Sequence, residues 1–435
     1  MGNLKAGAAS VVVPLGEDCF PNAESITKYD DVYTRVIILE TDKRYAFMTS
    51  DHPSILPWAL RHLKALLKEI AGVEEENSWV MVTNDLSAPH TWPKGDHEQP
   101  DTPRPLGMDS SPQKLQAATR VNKAYDKAWH EAIEKAVANM REAKIGFGKG
   151  ECAININKNM WTVEGWAQGA NPDLFVDRTL TVLRIDEVAT GNPIAVVFNY
   201  SCSNSVSVGP IPEYGGKSKV CTGDVMGVAS KYVEEKYGNG CTAFFMCGAM
   251  GDQVPIFRIN ATVLGDDGKR FQFSYGKKGY YMMETLGGVL GKAVTDTADA
   301  IEEYNDSPEI NVDYQEYVVG AQDREINIFI VKPVLEYTFW PMPDRTLHVS
   351  GMTIGDIALV GMTTEMDGMS MHVIRNSSPF EKTLVASFVN GNGKSMPRED
   401  AYDKLEYAAI NSPFAKGSAE KTEEVALELL NRMKR

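Results

Sequence analysis

Along the chain, apolar and polar residues switch repeatedly between the two-residue period of strands and the wider period of helices. "VYTRVIILET" and "RYAFMTSD" read as two strands turned at Asp42 and Lys43. "SILPWALRHLKALLKEIAG" then carries apolar residues at helical spacing up to Gly72, a natural helix stop. "SWVMV" is an apolar run that reads as a buried strand, and it spills into a polar turn, "VTNDLSAPHT". A Pro-rich segment follows, "WPKGDHEQPDTPRPLG", too polar to bury and of the kind that serves as a lid or surface loop.

Next, the pattern predicts a long helix over residues 112–144, ending at "GFGKGE". Gly146, Gly148 and Gly150 invite comparison with a phosphate-cradling loop, but that loop needs a strand before its glycines and a helix after them. Here the order is reversed, and a plain turn is expected. "TLTVLRID" and "PIAVVFNYS" are strands joined through "EVATGN". "GDVMGVASKYVEEKYG" is a helix that opens near Asp224 and stops at Gly238, and "CTAFFMCGAMGDQVP" is a buried strand entering a Gly-containing loop. A further helix ("GYYMMETLGGVLGKAVTDTADAIEEY"), a strand–loop–helix unit ("TIGDIALVGMTTEMDGMSMHVI") and an amphipathic tail helix ("KTEEVALELLNRMKR") complete the chain. With no internal repeat or low-complexity linker, the expected architecture is α/β: mixed β-sheets with flanking helices in one large domain over residues 1–435.

Charge narrows the partners. The net charge is −15, from 44 basic and 59 acidic residues with no polybasic block, which argues against nucleic acid and anionic membranes. No leader-like start is visible, no apolar segment is long enough to span a bilayer, and the six cysteines form no CxxC pair. A reduced, cytoplasmic protein acting on a small molecule is the expectation.

Three strands end in comparable polar turns: Val82 into Asn84-Asp85, Phe198 into "NYSCSNS", and Val360 into "GMTTE". In open α/β sheets the crevice at the strand carboxyl ends is the usual ligand site. Asn84, Asp85, Ser203, Asn204 and Glu365 would meet there in one polar pocket.

The order and spacing of "VTNDLSAPHT", "FNYSCSNSV", "TGDVMGVAS", "MCGAMGDQVP", "ALVGMTTE" and "VNGNGKSMP…YAAINSPFAKGSAE" resemble the N-terminal catalytic domain of the neutral/alkaline (non-lysosomal) ceramidase family. The resemblance implies that fold, and an amide hydrolase that uses one zinc ion. It also implies the ligand positions, and this sequence departs from them. The two histidines of the family's first turn fall on Asn84 and Leu86, the next strand-end histidine on Ser203, and a tyrosine on Ser395; the family's glutamate remains as Glu365. The family's assisting serine falls on Val254. Amide and hydroxyl oxygens are weak zinc ligands, so an altered or lost zinc site is expected. Asp85, Asp224, Asp252 and Glu365 with Asn84 form an oxygen-rich set that suits Mg²⁺ or Ca²⁺, or no metal. A counterpart to the family's C-terminal immunoglobulin-like domain is not expected, nor is a lipid substrate.

Each candidate has a plainer reading beside the functional one. Glu365, the catalytic or metal-binding candidate, stands where a carboxylate would favour a helix N-terminus. His90 offers an imidazole as general base or ligand, or is a surface histidine. His97 sits in the Pro-rich segment and reads as solvated, while His372 and His62 read as packing. Asp224 suits a helix cap and Asp252 a turn. Cys202 and Cys247 read as buried apolar packing. Ser203, Asn204, Ser395, Asp252 and Tyr407, with Asn84 and Asn411, are the substrate-binding candidates. Two functions remain open. One is an amide hydrolase on a small polar substrate, with Glu365 and His90 or Asp85 as acid and base. The other is a non-catalytic binding or regulatory subunit, in a homo-oligomer or in a hetero-oligomer whose homologous partner keeps the histidines.

Overall fold

The computed structural model describes residues 3–22, 24–91, 111–214, 219–323, 333–391 and 393–434. Its largest sheet has eight strands in the order Thr242–Cys247, Pro193–Tyr200, Thr179–Glu187, Arg141–Glu151, Lys5–Val12, Tyr33–Glu40, Arg44–Ser50 and Ser78–Val82. The expected hairpin is present: Tyr33–Glu40 and Arg44–Ser50 run antiparallel, with Glu40 opposite Arg44. The outermost pair at each edge is parallel, which requires a crossover. The helices Pro57–Ala71 and Asp224–Tyr237 lie within those two crossovers. Pro57 occupies the first turn, where its missing N–H costs nothing, and Gly72 takes the left-handed conformation (φ 66°) that ends the helix.

Strand alternation sets the layers. In "VIIL", Val36 and Ile38 face a core shared with Tyr125, Trp129 and Ile133 of the Pro112–Ala138 helix. Ile37 and Leu39 face the opposite way, into a core shared with a second sheet. That sheet runs Ile310–Gln322, Pro341–Ile354, Ile357–Met362, Lys382–Ala386, and contributes Met352, Ile354, Leu359 and Leu384 to the shared core. Its outer face is covered by Met371 and Ile374 of the Gly368–Ser377 helix and by Val425, Leu429 and Leu430 of the Ser418–Met433 helix. The result is helices, sheet, sheet, helices. Strands buried on both faces read as unbroken apolar runs rather than alternating ones. Among the described residues no helix is long and apolar enough to cross a membrane.

One expectation fails. The helix predicted over 112–144 stops at Ala138, and the expected turn at "GFGKGE" is the second half of the strand Arg141–Glu151. Gly146, Gly148 and Gly150 share one face of that strand and serve close helix packing. A Cβ on Gly146 would meet Ile301 Cγ2 at 2.5 Å and Glu303 O at 2.8 Å, and one on Gly148 would meet Thr297 O at 3.0 Å. The Gly279–Asp299 helix and the chain leaving it lie against this bare strip. Gly146→Val is therefore expected to destabilise by about 1–3 kcal/mol through overpacking. The urea midpoint at unchanged m-value would report it.

Candidate functional site

The turns that follow the sheet strands meet at one end of the molecule. Asp85 and Asn204 form an isolated parallel bridge, and Leu86 N donates to Asn204 O at 3.2 Å, joining the turns after Ser78–Val82 and Pro193–Tyr200. Ser203 N donates to Gln253 O at 3.0 Å, and the N–H groups of Met250 and Gly251 donate to Met366 O. Glu365–Met366 then pairs in parallel with Ser395–Met396. Together these segments wall a cavity of about 400 Å³. Asn84, His90, Ser203, Glu365, Ser395 and Tyr407 all line it, as do Asn411 and Val254.

Glu365 does not cap the helix that follows it. Asp367 does, accepting from Ser370 N at 2.8 Å, which leaves the Glu365 carboxylate to accept from Ser395 Oγ at 2.7 Å. His90 is tied down rather than loose on the surface: its Nδ1 lies 2.6 Å from Glu24 Oε1 and its backbone N–H donates to Glu24 Oε2 at 2.7 Å. Burial alone would raise the Glu24 carboxyl, but the His90 ring and the Lys219 ammonium outweigh it and hold the group at about 2. A carboxyl depressed in the folded state stabilises above its unfolded value and loses that contribution as pH falls toward the folded one. Hence the stability gap between the native protein and Glu24→Gln should be full above about pH 5 and close between about pH 4.5 and 2. Urea titrations at stepped pH would measure it, and a pH-independent gap would refute the pairing.

Around the cavity the backbone is held away from its easy conformations. Asn84 has φ 50°, in which its side-chain Nδ2 donates to Pro53 O at 3.1 Å. Asparagine tolerates this region; Phe388, also in the wall, adopts φ 59° at greater cost. Ser203 and Ser205 share a hydrogen bond of 2.6 Å between their hydroxyls.

Other candidates sit elsewhere. Asp85 is buried beneath the turn, where one carboxylate oxygen accepts from the N–H groups of Ser87 and Ala88. Burial pushes its carboxyl up, and Asp224 and Asp51 push it further. It builds the turn and does not line the cavity, so the acid/base role considered for it is withdrawn. Asn204 is likewise buried, donating to Gly223 O and accepting from Met226 N. Asp252 lines a neighbouring cavity of about 310 Å³ and is engaged by Asn157 Nδ2 and Gly368 N; Ser395 touches both cavities. Asp224 is the first helical residue rather than the cap, and its carboxylate gathers the N–H groups of Val206, Ser207 and Val225. His62 pairs with Asp126 and His372 packs edge-on to Phe175. Cys202 and Cys247 are buried, with their thiols raised by burial. His97 and the rest of the Pro-rich segment fall outside the described residues.

Among the cavity residues that were not anticipated are two cations, Lys158 and Arg258. Lys158 lies between Asn157 and Asn159 on the strand Asn155–Thr162, and Arg258 follows the short strand Gln253–Pro255. Burial lowers both, and for Lys158 the nearby Glu365 and Asp252 work against that. A single cation in a strand pattern looks like a solvated position, which is why the sequence conceals them. Glu24, the partner of His90, was hidden by its distance along the chain.

A metal fits this cavity poorly. The oxygen-rich set is split: Asp85 and Asp224 lie beneath the turn, Asp252 lines the neighbouring cavity, and Glu365 is in the main one. Among the described residues no three His, Cys, Asp or Glu side chains gather as a metal-holding group, and the two cations oppose a further positive charge.

The layered sheets and the cavity at their strand ends define a neutral ceramidase-like α/β fold. A ceramidase solved in complex with C2 superposes with a TM-score of 0.71 at 14% identity, covering 99% of this chain and 76% of that one. The neutral ceramidase from Pseudomonas aeruginosa gives a TM-score of 0.70 at 14% identity, over 99% of this chain and 75% of that one. No protein-family profile and no curated protein matches by sequence. At this identity the likeness is one of fold.

Proposed function

We propose that the chain is a divergent ceramidase-like hydrolase that cleaves an amide-type bond of a small polar substrate, at a site whose zinc ligands have been replaced. The observation that carries this reading is the meeting, in one cavity, of Glu365 bonded by Ser395 with His90 oriented by Glu24. Glu365 acts as general base on a water molecule, and His90 returns a proton to the leaving nitrogen, the division of labour that amide hydrolysis needs. Asn84 and Ser203, on the neighbouring turns joined by the Asp85–Asn204 bridge, are the donors for the developing oxyanion. Glu365 is the only Asp or Glu among the described residues of the wall, which favours a second reading, binding without turnover.

Purified untagged protein offered a panel of short N-acyl amino acids, their amides and lactams separates the two. Amine release with substoichiometric zinc is the expected result. Ligand binding with no turnover anywhere in the panel favours the second reading, and stoichiometric zinc overturns the ligand-loss argument.

A further inference from the structure

Burying a cation without a counter-charge is costly, and proteins rarely leave one so. Two cations with no ion-pair partner among the described residues share the cavity wall, Lys158 buried and Arg258 half-buried, although the carboxylates of Glu365, Asp252 and Glu406 act on Lys158 from farther off. Lys158 is 7% exposed, and its ammonium makes no hydrogen bond or ion pair with any described residue. The Arg258 guanidinium has one hydrogen bond among the described residues, from Nη2 to Gly169 O at 3.1 Å, and no carboxylate pairs with it there. The two are close enough to repel: Arg258 adds to the burial that lowers the Lys158 ammonium. Glu365 faces them as the single carboxylate of the described wall, already engaged by Ser395, and Lys394 adds a further cation. In a chain of net charge −15 this is a local reversal of sign. Cavities lined by one sign of charge concentrate ligands of the other.

We propose that Lys158 and Arg258 form the recognition site for a carboxylate on the ligand. If the hydrolase reading on which this rests is right, the substrate is then an N-acyl amino acid rather than a neutral amide. A guanidinium presents a planar fork that matches a carboxylate, and the ammonium beside it supplies a point charge. The neutral ceramidase-like fold does not carry this inference; the unpaired charges do.

Calorimetry on the whole chain carrying Glu365→Gln, which is expected to slow turnover, gives the test. The probes are N-acetylglycine, its neutral counterpart N-acetylglycinamide, and inorganic phosphate. The acid should bind about tenfold or more tighter than the amide, as charge-assisted hydrogen bonds do, and weaken as salt is raised. The preference should collapse in Arg258→Met and in Lys158→Met and survive in part in Arg258→Lys. Arg258→Met should also raise the urea midpoint without ligand, because it removes a half-buried cation that no carboxylate pairs with among the described residues; a merely structural arginine would lower it. Equal binding of acid and amide, no binding of either, tighter binding of phosphate than of the acid, or a preference that outlives both methionine variants overturns the proposal. Its failure is separable from that of the hydrolase reading. Selective acid binding without amine release by the native chain sinks the hydrolase and leaves the anion site standing, and release from neutral amides without acid preference does the reverse.

Discussion

Glu365→Gln is expected to lower kcat/KM by about 10²–10⁴, the range that general acid–base groups contribute. The substitution is nearly isosteric, and its amide oxygen still accepts from Ser395 Oγ, which lies 2.7 Å from the native carboxylate. The short pairing of Glu365–Met366 with Ser395–Met396 rests on backbone groups and is untouched. So the fold should hold, the urea midpoint should scarcely move, and the loss should appear in kcat rather than in KM. Steady-state kinetics on whichever substrate the panel identifies would measure this. Undiminished turnover would remove Glu365 from the chemistry and leave His90 to be tried next.

Arg375→Leu should have the largest effect on stability, about 3–5 kcal/mol, because it strands a buried carboxylate. Arg375 reaches from the Gly368–Ser377 helix to Asp177, with Nη1 to Oδ1 at 3.2 Å and Nη2 to Oδ2 at 3.0 Å, and the Asp177 side chain is 1% exposed. Burial would raise the Asp177 carboxyl, yet Arg375 and the hydroxyl of Ser201 overcome this and leave it lowered. Replacing both residues, as in Asp177→Asn with Arg375→Leu, should recover much of the loss, since no charge is then left alone. The same pair braces the cavity from behind. Ser201 Oγ donates to Asp177 Oδ2 at 2.8 Å and accepts from Ala249 N at 3.1 Å, two residues before Ser203. A weaker KM should therefore accompany the shifted urea midpoint. A cost below about 1 kcal/mol would place the pair among solvent-screened bridges.

How far the sequence was readable depended on whether a residue's role is local. The Pro57–Ala71 helix and the Asp42–Lys43 hairpin follow from period, Pro and Gly, which act within a few residues. The glycine row of Arg141–Glu151 misleads because its meaning is supplied by a helix more than a hundred positions later. Polar turns after buried strands pointed to the end of the molecule where the cavity of about 400 Å³ lies, since exposed strand termini are where polar side chains accumulate. They did not reveal which side chains face inward. Asp85 Oδ1 accepts from backbone N–H groups of its own turn and Asn204 Oδ1 from the first turn of the Asp224–Tyr237 helix, a task that short polar side chains take as readily as catalysis. Lys158, Arg258 and the partnership of Glu24 with His90 belong to the folded chain alone, because each is defined by what lies across the cavity.

Phe388 sets the terms on which this cavity persists. A bulky residue with positive φ stores about 1–3 kcal/mol unless its neighbours hold it there. Here they do: Val389 N donates to Met362 O, and Asn390 grips the Ser78–Val82 strand through Val80 N, Val80 O and Ser78 O. A lineage pressed toward heat tolerance would find glycine at 388 an inexpensive gain. It would keep the scaffold and surrender an aromatic panel of the cavity wall.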